Sequence, residues 1–303
     1  MRYLVYGAGA VGGVIAARLH LAGVSTSVIA RGEHLEAIRS DGLVLDAAPD
    51  RLVAPVLAAE SAAEVDWTDD LVVLLCVKGH QTAAALDDLA AHAPASIPMV
   101  CAQNGVANEA AALRRFERVY GLCVMLPSLH LEAGVVVQKC HPTPGILDLG
   151  RFPDGTDETA EGAAADLRSA GFESLARSDI MAWKHRKLIV NARGDVSALF
   201  EPGPATSQLA ELVAAEGEAE LRAAGITVVA SAEDDARRGD VLQPRADIDR
   251  FAGNSLRQSL TRGLDSEIDY RAGEIVLLGR LHGVLTPANE FVQRTARDAG
   301  REG

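Results

Sequence analysis

The chain has 303 residues, of which 48% are hydrophobic and 23% are charged. This length is enough for two domains, and the composition is typical of a protein that folds rather than of a disordered one. The formal net charge is −13 and the basic residues are scattered, which argues against binding to nucleic acid or to an anionic membrane surface.

Cysteine and histidine spacing gives no indication of a metal site. The cysteines form no CxxC pair and the histidines form no HExxH motif, so we predict no bound metal. No apolar run approaches the roughly 18 residues of a membrane helix, and no charged and then apolar leader opens the chain. We therefore expect a cytoplasmic protein with no membrane partner.

The first half of the chain alternates between predicted strands and helices. Apolar runs at 2–6 and 25–30 flank a helix at 14–21, which makes a βαβ unit. Further strands are predicted at 71–77 and 98–102, with a helix at 82–92 between them. Later strands are expected at 119–126, 134–139 and 145–150, and a helix at 158–170. This alternation predicts a mostly parallel sheet that is covered by helices.

A glycine-rich loop connects the first predicted strand to the first predicted helix. It reads Gly7, Ala8, Gly9, Ala10, Val11 and Gly12. A GxGxxG pattern alone is weak, but between a strand and a helix of a βαβ unit it predicts a Rossmann fold that binds a dinucleotide. The glycines allow a tight turn and close packing, and the helix N-terminus receives the pyrophosphate.

Two basic residues indicate which dinucleotide is bound. The second strand is followed by Arg31, where NAD-preferring proteins place an acidic residue on the ribose hydroxyl. A guanidinium suits a 2′-phosphate instead, although Glu33 nearby leaves NADH open. Lys78 follows the strand at 71–77, at the edge where such sheets bind ligands. We predict that the cofactor is NADPH.

The second half of the chain is predicted to be helical. Helices are expected at 182–200, 207–224, 251–262 and 266–282, and the polar stretch 231–250 is either a surface helix with loops or a mobile flap. The predicted fold class is α/β, with an N-terminal Rossmann domain, a doubly wound and mostly parallel sheet, at 1–178. An all-helical domain follows at 179–303.

One predicted helix of the second half carries polar side chains on one face. Lys187, Asn191 and Asp195 are four residues apart and lie within about 80° of each other around the helix axis. They can line one cleft, although a solvated charged face has the same pattern. Lys184 lies near this face and is a rival to Lys187 as the functional ammonium. Glu267 is a further candidate for this cleft. Taken alone, it also fits a structural role, as a carboxylate in the first turn of a helix, where the helix dipole favours a negative charge.

The order of motifs resembles that of the 2-dehydropantoate 2-reductase (ketopantoate reductase) family over nearly the full length. The segments that carry the resemblance are Val77-Lys78-Gly79-His80-Gln81-Thr82, Gln103-Asn104-Gly105, Trp183, Lys187-Leu188-Ile189-Val190-Asn191, Asn254-Ser255-Leu256, Ser266-Glu267-Ile268-Asp269-Tyr270 and Thr286-Pro287-Ala288-Asn289. The family includes monomers and dimers, which leaves a homodimer open.

The resemblance implies an activity and a role for each matching residue, and it makes the helical domain at 179–303 the substrate-binding and catalytic one. The implied reaction is the NADPH-dependent reduction of 2-dehydropantoate to pantoate, a step of pantothenate and coenzyme A biosynthesis. Lys187 would be the general acid, Asn104 would hold the carbonyl and the cofactor, and Glu267 would orient the lysine and the substrate. The substrate-binding residues would be Asn191, Asp195 and Ser255, with the Ser255 hydroxyl directed at the carboxylate of a 2-oxo acid.

Some positions depart from the family pattern. Asp195 stands where the family usually has asparagine, Asn254-Ser255-Leu256 replaces Ser-Ser-Met, and Ser259 replaces an aspartate. An ionised Asp195 would repel a substrate carboxylate unless a cation such as Arg193 or Lys184 compensates. Two alternatives therefore stay open: a paralogous NADPH-dependent reductase of another 2-oxo acid or ketone, and a non-catalytic protein that senses a dinucleotide. The combination of Lys187, Asn104 and Glu267 argues against a sensor.

Overall fold

The computed structural model describes residues 1–248, 256–257 and 266–302. The chain divides into two compact units. The first comprises Met1–Gln103, Asn108–Ile180 and Ala236–Ile248, and the second comprises Asn104–Ala107, Met181–Asp235 and Asp249–Gly303. A single division after residue 178 would place the segment 104–107 in the first unit and the segment 236–248 in the second. The structure places each of these segments in the other unit.

The first unit contains two sheets. Its strands, in chain order, are β1 (Arg2–Tyr6), β2 (Thr26–Ile29), β3 (Leu43–Asp46), β4 (Arg51–Ala54), β5 (Leu57–Ala59), β6 (Leu71–Leu75), β7 (Pro98–Cys101), β8 (Arg118–Met125), β9 (Ser128–Glu132), β10 (Val135–Gln138) and β11 (Ile146–Arg151). Its helices are α1 (Ala10–Leu21), α2 (Gly32–Asp41), α3 (Thr82–His92), α4 (Asn108–Leu113) and α5 (Glu158–Ser169).

The larger sheet has the strand order β11-β8-β7-β6-β1-β2-β5. All of its neighbouring strands are parallel except β8 and β11. The carboxyl ends of β1, β2, β6 and β7 therefore meet at one edge, and the chain order reverses between β1 and β6. The predicted α/β class with a mostly parallel sheet is confirmed.

Strand β1 shows how the sequence determines the layers. Successive side chains of a strand point to opposite faces, so Tyr3 and Val5 pack with α1 and α5 while Leu4 and Tyr6 pack with α3. Because helices cover both faces, the central strands are continuous apolar runs rather than alternating patterns. These central strands can therefore be predicted from the sequence.

The smaller sheet, with the order β4-β3-β10-β9, was missed by the sequence analysis. Its strands are short and partly exposed, so they lack the continuous apolar run that marks a buried strand. The strand expected at 134–139 belongs to this sheet, parallel to β3 and antiparallel to β9. The sheet packs against α1 so closely that a Cβ at Gly13 would lie 2.5 Å from Val136 Cγ1.

The second unit is helical in its described residues. Its helices are α6 (Ile180–Leu199), α7 (Pro204–Ala223), α8 (Ser231–Arg238), α9 (Ala272–His282) and α10 (Pro287–Glu302), with the ends of α6 and α8 assigned to the first unit. The helix expected at 266–282 is two elements, because a 3₁₀ turn at Ile268–Tyr270 precedes α9 and Arg271 interrupts the helical dihedrals. The helix expected at 251–262 falls almost wholly outside the described residues. No helix in the described ranges has the length and apolarity needed to cross a bilayer.

The segment 236–248 is tied to the first unit by buried ion pairs. Asp148 on β11 is almost fully buried and accepts hydrogen bonds from Arg177 Nε at 2.7 Å and from Arg237 Nε at 3.0 Å. Arg245 is also buried, pairs with Asp46 at 2.8 Å and donates to the Gln138 carbonyl. Of the two alternatives for 231–250, the structure shows a helix followed by an anchored loop through residue 248.

The Thr286-Pro287-Ala288-Asn289 motif forms the start of α10. The Glu216 carboxylate on α7 accepts the backbone N–H groups of Ala288 and Asn289, at 2.8 and 2.9 Å, and the Asn289 side-chain amide at 2.8 Å. Asn289 is fully buried. A carboxylate at a helix N-terminus satisfies N–H groups that have no partner inside the helix. This motif therefore holds two helices of the second unit together.

Replacing Glu216 with alanine is expected to lower the free energy of unfolding by about 2 kcal/mol, because three donors lose their acceptor and one belongs to a buried side chain. Urea unfolding followed by circular dichroism measures the change. Glu211 on the same helix is the matched control: its exposed carboxylate pairs with Arg193 at the surface, and Glu211→Ala should cost about 0.5 kcal/mol or less. Equal losses in the two variants would contradict the capping role.

Candidate active site

The glycine loop has the geometry of a phosphate-binding turn. A Cβ at Gly12 would lie 2.1 Å from the Gly7 carbonyl oxygen, so a larger residue there would separate the helix from the strand. A Cβ at Gly9, in contrast, would meet no atom within 4 Å, so the backbone at this position borders open space. The loop therefore combines one tight internal contact with one face that a ligand can approach.

Helix α1 begins at this open face. Its N-cap residue, Gly9, makes no side-chain capping hydrogen bond, and its first turn contains no acidic residue. A helix N-terminus of this kind presents backbone N–H groups and the positive end of the helix dipole to an anion. The residues that are present at Gly7, Ala8, Gly9, Ala10, Val11 and Gly12 thus fit a dinucleotide pyrophosphate.

His34 supports the loop from behind, and the sequence analysis missed it. Its Nδ1 accepts the Gly134 backbone N–H at 2.9 Å, so the ring proton is on Nε2, which donates to the Ala8 carbonyl at 2.7 Å. Burial lowers the pKa of His34, which favours this neutral form. The imidazole therefore bridges the glycine loop and the β9–β10 turn. A single histidine outside any motif gave no indication of this role.

Arg31 lies at the carboxyl end of β2, as predicted, and is exposed. Its Nη2 donates to the Tyr6 hydroxyl at 3.3 Å. Among the ion pairs formed by the described residues, none involves Arg31. Its positive charge is therefore available to an anionic ligand.

Lys78 lies directly beyond β6, on the same edge of the sheet as the glycine loop. The loop that carries Lys78 is held by the side-chain amide of Gln103. This amide donates to the Val77 carbonyl and to Thr82 Oγ1, both at 2.8 Å. Thr82 donates in turn to the Asn108 side chain at 2.8 Å. This buried network connects the loops that follow β6 and β7. It explains why a polar Gln103 precedes Asn104.

Within the second unit, Asn104 meets two of the predicted side chains of α6. Lys187 Nζ donates to Asn104 Oδ1 at 2.7 Å, and Asn191 Nδ2 approaches the same oxygen at 3.4 Å. All three side chains are partly exposed rather than buried. The structure therefore brings together an ammonium group and two amides, which can hold and protonate a carbonyl oxygen.

The segment around Glu267 packs against the Asn104 loop. Gly105 has a φ of +82°, and a Cβ there would lie 2.7 Å from the Tyr270 carbonyl oxygen. Only glycine accommodates both the left-handed backbone and this contact. The 3₁₀ turn that follows Glu267 therefore lies directly against the residue after Asn104. Glu267 is partly exposed, and its carboxylate is close enough to Asp195 to influence the pKa of that group.

Asp195 is paired with a cation that the sequence analysis did not consider. Arg271 Nη2 lies 2.6 Å from Asp195 Oδ1 and also donates to the Asn191 carbonyl at 3.1 Å. Arg193, one of the two expected partners, is instead exposed and pairs with Glu211. Each step of four residues rotates the side chain by about 40° around the helix axis, so Asp195 faces the start of α9 rather than Asn104.

Burial dominates the electrostatics of this pair. The Asp195 side chain is fully buried, and neither of its oxygens accepts a hydrogen bond from the described residues. Burial raises the pKa of Asp195 to about 7, while the Arg271 guanidinium opposes the rise and the Glu267 carboxylate adds to it. The charge of Asp195 therefore changes near neutral pH.

The predicted substrate residue Ser255 lies outside the described residues, as do the departures at Asn254 and Ser259. No group of three or more histidine, cysteine or acidic side chains in the described part of the chain is arranged to hold a metal ion. The candidate site therefore consists of the loop-edge residues of the first unit and, separately, the polar group around Asn104 in the second.

Comparisons with known proteins give matches in both halves of the chain. A sequence model of the family described as ketopantoate reductase PanE/ApbA matches residues 3–154, and the model of its C-terminal part matches residues 179–299. The chain is 30% identical to the 2-dehydropantoate 2-reductase of Mesorhizobium japonicum, with 98% of this chain and 97% of that protein covered.

Solved structures have the same fold. A PanE/ApbA family ketopantoate reductase from Ralstonia eutropha is 26% identical, with a TM-score of 0.85 over 100% of this chain and 99% of that one. A D-mandelate dehydrogenase, solved with NADH and anilino(oxo)acetate, is 21% identical and shares the fold with a TM-score of 0.86 over 100% and 99% of the two chains. The chain therefore belongs to the ketopantoate reductase (PanE/ApbA) family of oxidoreductases.

Proposed function

We propose that the protein reduces 2-dehydropantoate to pantoate with NADPH, a step of pantothenate and coenzyme A biosynthesis. The observation that carries the proposal is the hydrogen bond from Lys187 to Asn104, because it places a proton donor beside an amide that can hold a carbonyl. A dinucleotide sensor has no need of such a donor. The family membership supports the same reaction.

The choice of NADPH rests on Arg31 and Lys78. The Arg31 guanidinium follows the second strand of the sheet and is exposed. A planar cation at this point matches a 2′-phosphate, whereas NADH would be matched by a carboxylate on the ribose hydroxyls. Lys78, at the edge beside the glycine loop, adds a second positive charge for the phosphates.

The protein's own residues supply binding, orientation and a proton. The glycine loop and the N-terminus of α1 hold the pyrophosphate. The dihydronicotinamide, when bound, supplies the hydride. Negative charge then develops on the substrate carbonyl oxygen, and Lys187 stabilises and protonates it while Asn104 keeps it in register. Glu267 orients the lysine and the substrate. Asn191, Asp195 and Ser255 bind the rest of the substrate, with Ser255 on the carboxylate.

A second candidate is the NADPH-dependent reduction of another 2-oxo acid or of a ketone. The Asp195–Arg271 pair favours it, because this buried pair stands where the family usually has an asparagine. A homodimer and a cytoplasmic location stay predictions.

The reaction is tested by following NADPH oxidation with 2-dehydropantoate and a panel of 2-oxo acids and ketones. We expect turnover with 2-dehydropantoate and weaker turnover with the others. Turnover of a different substrate only would favour the second candidate. Binding of NADPH without turnover of any substrate would contradict both reductase proposals and favour a sensor.

The cofactor choice is tested with Arg31→Ala. Loss of a charge-assisted contact should raise the Kd and the KM for NADPH by about 10-fold to 100-fold and leave those for NADH within about twofold. Direct titration of both dinucleotides measures the Kd values without turnover. A parallel loss for NADPH and NADH would contradict the assignment of Arg31 to the 2′-phosphate.

A further inference from the structure

Strand β1 carries two buried tyrosines, on opposite faces of the sheet, whose hydroxyls each donate to an aspartate. The Tyr3 hydroxyl donates to Asp166 Oδ2, and the Tyr6 hydroxyl donates to Asp88 Oδ2, both at 2.7 Å. Both residues are at least 97% buried. Of these two hydroxyls, that of Tyr6 alone has a second partner among the described residues, the Arg31 guanidinium at 3.3 Å. Tyr6 has no role in the proposed binding of the cofactor or in the proposed proton transfer.

The hydrogen-bond directions at Tyr6 are determined by its neighbours. A phenol has one proton and two lone pairs, so a hydroxyl that donates to Asp88 can only accept from Arg31. Asp88 Oδ2 is itself fixed, because it also accepts the Ala62 backbone N–H at 3.0 Å. Burial, together with the Asp88 hydrogen bond, raises the pKa of Tyr6 to about 12, so the hydroxyl keeps its proton at neutral pH. The chain of contacts runs from Arg31 through Tyr6 to Asp88.

This arrangement restrains an exposed arginine without neutralising it. An exposed guanidinium loses rotamer freedom when it binds a ligand, and a partner that orients it beforehand lowers that cost. A carboxylate partner would orient Arg31 but would also compete with an anionic ligand for its charge. A neutral hydroxyl orients it and leaves the charge available. Tyr6 is paired with Ile29 in the sheet register, so its side chain belongs to the strand end next to Arg31.

We propose that Tyr6 is a positioning residue that increases the preference for the 2′-phosphorylated dinucleotide by holding the Arg31 guanidinium in place. The proposal rests on the proposed function, in which Arg31 binds the 2′-phosphate. It adds a determinant of cofactor specificity that acts through Arg31 and lies on the strand next to the one that Arg31 follows.

The test compares Tyr6→Phe with Tyr3→Phe, which removes the equivalent hydroxyl from the same strand without a link to Arg31. Calorimetric titrations use adenosine 2′,5′-bisphosphate and 5′-AMP, which differ only in the 2′-phosphate, and then NADPH and NADH. Tyr6→Phe should raise the Kd for the two 2′-phosphorylated ligands by about 3-fold to 10-fold and leave the other two unchanged. Tyr3→Phe should change none of the four. Thermal unfolding of both variants checks that they fold.

Arg31→Ala, titrated in parallel, separates the proposed role of Tyr6 from the assignment of Arg31 to the 2′-phosphate. If Arg31→Ala abolishes the preference for 2′-phosphorylated ligands while Tyr6→Phe leaves it intact, the role of Tyr6 is overturned and the assignment of Arg31 stands. If Arg31→Ala has no effect on the preference, the proposed NADPH specificity fails as well. Equal weakening of all four ligands by Tyr6→Phe indicates a purely structural hydroxyl and also overturns the proposal.

Discussion

Replacing Lys187 with alanine is expected to lower kcat for the reduction by at least about 100-fold, since a positioned general acid contributes on the order of 100-fold to 10,000-fold. The ammonium group lies 2.7 Å from Asn104 Oδ1, where the substrate oxygen is proposed to be held. Lys187 is not one of the residues proposed to bind the cofactor, so the Kd for NADPH should stay within about twofold. Single-turnover kinetics and direct titration measure the two effects.

Two lysines serve as comparisons for this experiment. Lys139 follows β10 in the first unit and has no role in the proposed chemistry, so Lys139→Ala should leave kcat unchanged. Lys184 is the rival on α6, and it is almost fully buried whereas Lys187 is partly exposed. A large loss of kcat in Lys184→Ala, with a normal kcat in Lys187→Ala, would assign the proton donor to Lys184 instead.

Replacing Asp195 with asparagine is expected to change how stability depends on pH. Burial raises the pKa of Asp195 from the ordinary 3.8 to about 7. Between these values the folded protein holds a proton that the unfolded chain has lost, so the carboxyl group destabilises the fold progressively as pH rises through this window. One pKa unit corresponds to about 1.4 kcal/mol, so the wild type should lose about 3 kcal/mol between pH 5 and pH 8 at this site.

The asparagine variant lacks this proton equilibrium. The difference in unfolding free energy, variant minus wild type, should therefore increase by about 3 kcal/mol from pH 5 to pH 8. Urea unfolding at several pH values measures it. Asp148→Asn is a useful comparison, because that carboxylate is also buried beside arginines. A pH-independent difference for Asp195→Asn would show that Asp195 is already ionised at pH 5.

The same variant tests the substrate. An ionised Asp195 would repel a substrate carboxylate, so the amide should raise kcat/KM for 2-dehydropantoate by about tenfold at pH 8 and little at pH 6. Initial rates over a range of substrate concentrations measure it. A change in stability without a change in kcat/KM would place Asp195 outside the substrate pocket.

The sequence predicts the structure best at positions where a single physical requirement determines the type of residue. Parallel strands that are buried on both faces must be apolar, so β1, β6 and β7 could be predicted to within a few residues. A glycine is required where a Cβ would collide, as at Gly12. The spacing of Lys187 and Asn191 predicts that both side chains lie on one face of α6, and in the structure both reach Asn104; spacing alone did not distinguish this arrangement from a solvated face.

The remaining features depend on contacts between distant parts of the chain. Nothing in local periodicity pairs Asp195 with Arg271, because the pair forms only when α6 packs beside the start of α9. The same holds for His34, which donates to the Ala8 carbonyl and accepts from the backbone N–H of Gly134, a hundred residues farther along the chain. The break at Arg271 also escaped notice, since a 3₁₀ turn and an α-helix have nearly the same hydrophobic spacing.

The ion pairs around Asp148 also affect how the chain could be divided into fragments. A polypeptide that stops at residue 178 would keep Arg177 but lose Arg237, and with it one of the two guanidinium groups that neutralise a carboxylate inside the sheet. It would also lose Arg245, and with it the cation paired with Asp46. The nucleotide-binding half is thus discontinuous in sequence, and an isolated version would need residues 236–248 fused back onto it.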